Sequence, residues 1–172
     1  MALRLAAQRP ERLRRMVVIG AQPVPAPTNV PGVRTDPGLG GRARREYYGG
    51  IGPTQEKMRE LIAELEWHNA DLVPECTVRA RYLASISPVA LVNPTASAAV
   101  GEPEVDLRAV TAPTLVVWGR YDPFAGPDYA AALADALPRG DLAIVGRTAH
   151  HPQAERPEAI AALTEAFLTD RS

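Results

Sequence analysis

The chain is short of cysteine, serine, lysine and aromatic residues, and each shortage excludes something. Cys76 is the only cysteine among 172 residues, so there is no intrachain disulfide and no cysteine-built zinc site. A reducing cytoplasm is the compartment this implies. Charge of one sign is also lacking. The net charge of −1 offers no electrostatic footprint for nucleic acid or an anionic membrane surface. No apolar run reaches the length of a membrane-spanning helix. Arg4, Arg9, Arg12, Arg14 and Arg15 break up the stretch that a secretory signal would need. Hydrophobic residues make up 46% and charged residues 23%, ordinary values for one globular domain that can bury a core.

What is present is unevenly distributed. Residues 2–9 are strong helix formers stopped by Pro10. Residues 15–20, RMVVIG, read as a buried strand. Residues 21–53 carry AQPVPAPTNVPGV, DPGLGG and YYGGIGP and read as one long loop. Met58, Leu61, Ile62 and Leu65 recur at helical spacing behind Thr54, a plausible N-cap. A second helix is expected from Pro74 to a stop at Pro88, and a third short one over 88–100. From residue 103 the pattern changes to strand (113–118), helix (127–137), strand (141–146) and helix (157–168). Each helix opens on proline, and the alternation of strand and helix with short connections is the signature of a parallel α/β sheet. The division expected is a core of 1–21 and 101–172, with 22–100 forming a loop and helical lid.

Open α/β sheets place their sites in the loops at the carboxyl ends of the strands. Here these loops are Gly119-Arg120-Tyr121-Asp122-Pro123-Phe124 and Gly146-Arg147-Thr148-Ala149-His150-His151. An aspartate beside a histidine orients the imidazole and stabilises its cation. On spacing alone, Asp122 reads first as a helix or turn cap, and His150 and His151 as polar surface residues or a weak metal pair. The side chains of adjacent histidines project apart, which argues against a shared metal. Cys76, near a helix start with no base beside it, reads as a packing residue.

Residues 113–168, with W-G-x-x-D-P-F and a histidine loop followed by P-Q-x-E-x-P-E, resemble the C-terminal end of an α/β-hydrolase. Residues 2–21 resemble the helix after the nucleophile and the next strand. Residues 53–88 resemble the helical lid of the meta-cleavage product hydrolases, which cleave a carbon–carbon bond in ring-fission products of aromatic degradation. The resemblance implies three parallel strands with helices and an inserted lid. It also implies Asp122 as triad acid, His150 as triad base and Arg81 as a contact to the substrate's carboxylate or dienolate, with Phe124 and His151 beside the substrate. A guanidinium fork suits such a planar anion, although Arg79 lies two residues away. No cofactor or metal is implied, and the partner is a small-molecule substrate.

The chain departs from that family at three points. Ala149 replaces the usual glycine before the histidine, His151 replaces the usual tryptophan after it, and the nucleophile elbow G-x-S-x-G-G does not occur. The four serines, Ser85, Ser87, Ser97 and Ser172, stand in no such motif. A truncated chain is therefore expected. Its strand at 15–20 would have an open edge that invites a homo-oligomer or pairing with another chain. The alternatives are a non-catalytic remnant or partner-completed fragment, and an ester or epoxide hydrolase.

Overall fold

The computed structural model of the chain describes residues 2–22, 38–92 and 105–170. Its centre is a parallel sheet of three strands in the order β1-β2-β3: β1 (Met16–Ile19), β2 (Thr114–Gly119) and β3 (Gly140–Val145). Met16 pairs in register with Thr114, and Thr114 with Gly140. The sheet is covered on both faces, so β2 is buried at every position, as a central parallel strand must be. On one face Met16, Val18, Val116 and Trp118 pack against Leu3 and Ala6 of α1 (Ala2–Gln8) and Ala130 and Leu133 of α6 (Pro127–Ala136). On the other, Leu115, Val117 and Val145 pack against Ile160 of the last helix, Pro157–Thr169. Among the described residues, β1 pairs only with β2, and its other edge is unpaired.

Between β1 and β2 lies a helical segment: α2 (Leu39–Tyr48), α3 (Gln55–Leu65), α4 (Glu75–Ser85) and α5 (Pro88–Val92). It has its own core of Tyr47, Met58, Ile62, Trp67, Val73 and Val78. The helix α2 corrects the expectation of an unbroken loop over 21–53. Two glycines and the surrounding prolines argue against helix on propensity, at about 1 kcal/mol per glycine. Burial of Ala43 and Tyr47 outweighs that cost. The turn after α2 is held by the sole lysine: Lys57 Nζ donates to the carbonyls of Gly49 and Gly52 at 2.8 and 3.2 Å. The helix expected over 88–100 occupies 88–92, and its remainder lies outside the described residues.

Thr54 caps α3 as its position predicts, with Oγ1 accepting the Lys57 N–H at 3.1 Å. Thr54→Ala is expected to cost about 1 kcal/mol, read as a lower midpoint of urea unfolding with an unchanged slope. Cys76 is exposed, which corrects its reading as a packing residue. It lies two residues before Val78, the buried residue of α4, and two residues place it on the far side of a 3.6-residue turn. No described helix is long and apolar enough to cross a membrane. A cleft of about 450 Å³ opens at the amino ends of β2 and β3, lined by Arg15, Arg139, Asp141 and Asp170 among others, at the opposite end from the two loops that carry Asp122 and His150.

Candidate functional site

The loop after β2 is shaped by its own side chains. The Trp118 indole N–H donates to the Ala125 carbonyl at 2.8 Å, closing the turn from inside the core. Asp122 then serves two ends. Its Oδ1 accepts the backbone N–H groups of Phe124 and Ala125 at 2.9 and 3.4 Å. Its Oδ2 lies 2.8 Å from His150 Nδ1, and the Asp122 side chain is 0% exposed. One oxygen thus caps the turn while the other faces the imidazole. With Nδ1–H donated to a buried carboxylate, the neutral imidazole carries its lone pair on Nε2.

The loop after β3 is zipped to the first. Arg120 N–H donates to Val145 O at 3.0 Å and Tyr121 N–H to Thr148 O at 3.0 Å. Buried Thr148 turns its hydroxyl onto Val145 O at 2.9 Å. Arg147 takes the left-handed conformation at φ 59°, and among the described residues it is the only non-glycine at positive φ. Ala149 in place of glycine therefore carries no backbone strain. Two glycines permit the approach of His150: Gly119, the glycine of W-G-x-x-D-P-F, and Gly20, which no motif marked. A Cβ on Gly20 (φ +58°) would sit 3.2 Å from the His150 ring, and one on Gly119 would fall 1.8 Å from the Ala149 carbonyl oxygen.

The helical segment meets these loops at residues 66–68. Glu66 lies just past α3. Its carbonyl accepts the His151 N–H at 3.2 Å, and its Oε2 is 3.0 Å from His151 Nδ1. Its Oε1 is ion-paired with Arg81 Nη1. Burial works against the Glu66 charge, but the hydrogen bond with His151 and the Arg81 guanidinium outweigh it, and the carboxyl is held below the ordinary range. Glu155, in the short helix Pro152–Glu155, answers from the other side. Its Oε1 accepts the Ala149 N–H at 2.5 Å and its Oε2 the His68 N–H at 2.8 Å. The His68 ring stacks on Tyr121 with centroids 4.1 Å apart.

All five residues singled out in the sequence fall in or beside one region. Asp122 and His150 are bonded. The Phe124 ring packs 4.6 Å from the His150 ring and touches α2 at Gly40. The His151 ring lies 5.2 Å from that of His150, but its Nδ1 faces a different carboxylate. Arg81 joins the region through Glu66, while Arg79 is exposed. Composition and spacing did not single out Glu66. Glu155 stood within the P-Q-x-E motif with no role attached. Of the serines, Ser85 Oγ donates to Tyr82 O at 2.7 Å and accepts the Tyr47 hydroxyl. Ser87 Oγ receives the Ala90 N–H at 3.4 Å. Ser97 and Ser172 lie outside the described residues.

Known proteins resemble the chain along nearly its whole length. The chain is 32% identical over 179 residues to the 2-hydroxymuconate semialdehyde hydrolase of Pseudomonas putida, matching 99% of this chain and 59% of that protein. It is 27% identical over 182 residues to 2-hydroxy-6-oxononadienedioate/2-hydroxy-6-oxononatrienedioate hydrolase 1 of Dechloromonas aromatica (strain RCB), with 98% and 58% covered. The chain thus spans just under three fifths of the length of these relatives. A meta-cleavage product hydrolase from Pseudomonas fluorescens IP01 superposes with a TM-score of 0.73 at 25% identity, over 99% of this chain and 61% of that one. The 2-hydroxy-6-oxo-6-phenylhexa-2,4-dienoate hydrolase of Rhodococcus sp. strain RHA1 shares the fold with a TM-score of 0.74 at 21% identity, over 98% and 60%. The model of the alpha/beta hydrolase fold matches residues 1–157. Sheet order, loop positions and this match together make the chain a member of the α/β-hydrolase fold family.

Proposed function

We propose that this chain supplies the acid–base half of a hydrolase that cleaves a carbon–carbon bond in ring-fission products of aromatic compounds. The observation that carries the reading is the 2.8 Å bond between the buried Asp122 carboxylate and His150 Nδ1, in a chain whose curated relatives are 2-hydroxymuconate semialdehyde hydrolases. In this reading Arg81 holds the substrate's carboxylate or dienolate, Phe124 and His151 line the substrate, and residues 22–100 act as a lid. Protonation of the dienol on carbon gives the keto form. His150 Nε2 takes the proton of the nucleophile as its oxygen bonds to the substrate's carbonyl carbon, and Asp122 stabilises the imidazolium. Collapse of that tetrahedral centre breaks the carbon–carbon bond. The electron pair moves into the conjugated ketone and one fragment leaves as a dienoic acid; the other leaves as a second acid, directly where water is the nucleophile and, where a serine is, after water cleaves the ester it forms. With no G-x-S-x-G in these residues, the nucleophile is water or a serine contributed from outside them. The open edge of β1 is where a further strand fits.

The test uses the half of the chemistry that needs no nucleophile. Mixed with 2-hydroxymuconate semialdehyde, the chain is expected to bind the dienolate and speed its ketonisation, followed by loss of its absorbance. His150→Ala is expected to remove about 10² to 10⁴-fold of that acceleration, the span of a positioned acid–base group. A chromophore that behaves as in buffer overturns the reading.

A further inference from the structure

Arg81, read above as the anchor for a substrate carboxylate, already faces a carboxylate of its own chain. Glu66 Oε1 is paired with Arg81 Nη1, while Oε2 faces His151 Nδ1 at 3.0 Å. The Glu66 side chain is only 15% exposed and that of Arg81 42%. The pair therefore has one sheltered member and one that solvent and ligands reach. The Glu66 backbone is also anchored beside this pair, because its carbonyl accepts the His151 N–H. A guanidinium has five N–H donors, and the contact to Glu66 uses one nitrogen. An incoming carboxylate can bind the remaining face, but it must do so beside a fixed negative charge.

We propose that Glu66 sets the affinity of this site for carboxylates, acting as an internal counter-anion that an arriving acid must share or displace at Arg81. The proposal rests on the Arg81 reading and adds a residue to it. Its physical content is Coulombic. Two carboxylates on one guanidinium repel, and the half-sheltered position keeps water from screening them fully. The His151 ring faces the second Glu66 oxygen at 3.0 Å, while His150 keeps its own partner, Asp122. Glu66 would thus favour release of an acid product as much as it weakens capture of an acid substrate, since both carry the same group.

The probe is sorbate, a conjugated dienoate without the carbonyl that would react. It is titrated calorimetrically into the full chain at neutral pH and low salt. Glu66→Gln is expected to bind sorbate about tenfold more tightly than the unaltered chain. Glu66→Asp, too short to reach both partners, is expected to bind more tightly as well, and it stands in if the glutamine variant does not fold. Arg81→Met should weaken binding, and Glu66→Gln placed on that background should gain nothing, because the gain runs through the guanidinium. A merely structural role for Glu66 would lower affinity in both backgrounds. Folded Glu66 variants that bind sorbate no better than the unaltered chain overturn the proposal, as does absence of binding by every form. If Arg81→Met leaves binding unchanged, the Arg81 reading falls and takes this proposal with it. If Arg81→Met loses binding but the Glu66 variants gain none, only the role of Glu66 falls.

Discussion

Gly119→Ala is expected to break the pairing of Asp122 with His150 and to destabilise the chain by about 2–4 kcal/mol, at or above the usual cost of overpacking. The added methyl would stand 1.8 Å from the Ala149 carbonyl oxygen, 2.7 Å from its carbon and 2.9 Å from the Thr148 oxygen. All three atoms are backbone, so no side-chain rotation relieves the overlap. Residues 148–149 must move, and with them His150, the next residue. The strand end cannot yield instead, because β2 is hydrogen-bonded on both sides and buried throughout. Urea unfolding measures the cost. The low-field imidazole N–H resonance of His150, expected in the unaltered chain from its bond to a buried carboxylate, should be lost. A variant that keeps both the resonance and its stability would mean that the two loops are not packed as described.

The second large effect is kinetic. The 172-residue chain is expected to hydrolyse a nitrophenyl ester no more than about 10² to 10⁴-fold faster than buffer, the range open to a lone acid–base pair. A serine-directed inhibitor should leave that rate unchanged, while His150→Ala should abolish it. A complete triad works far above this level because the serine, its base and the oxyanion donors act as a unit. Ser85 is engaged with Tyr47 and Tyr82, and Ser87 with the Ala90 N–H, so neither is presented to His150. Loss of turnover to the inhibitor would identify a nucleophile among the four serines and contradict this assignment.

The sheet and its strand-end loops were legible in the sequence because their signals are local, whereas the pairing of Asp122 with His150 was legible only through the resemblance carried by W-G-x-x-D-P-F and the histidine loop. An apolar β-branched run, proline at a helix start and a polar loop at a strand end each depend on a few adjacent residues. The remainder depends on partners distant in the chain. Helix α2 opens with Leu39-Gly40-Gly41, and only its burial against α3 and α4 makes it a helix. The links of Glu66 to His151 and of Glu155 to His68 join loops more than 80 residues apart in sequence, for which no spacing rule exists. Gly20 and Gly119 look like ordinary strand-end glycines until the His150 loop is laid against them. Cys76 could be read as core or surface until the buried face of α4 was known.

The helical segment keeps its apolar residues to itself. None of Tyr47, Met58, Ile62, Trp67, Val73 and Val78 belongs to the clusters that cover the sheet. Its attachment at residues 66–68 is mainly polar, through Glu66, His68 and Glu155. Such a joint separates at far lower free energy than either core melts, because water replaces hydrogen bonds more readily than it accepts apolar surface. Among the described residues, the helical segment and the sheet layers therefore meet along a mainly polar seam, and Asp122 and His150 lie beside it. Opening that seam breaks the bonds of the His68 and His151 N–H groups together, so these two amide protons are expected to share one hydrogen-exchange event, while the Ala149 N–H keeps its bond to Glu155 within the loop.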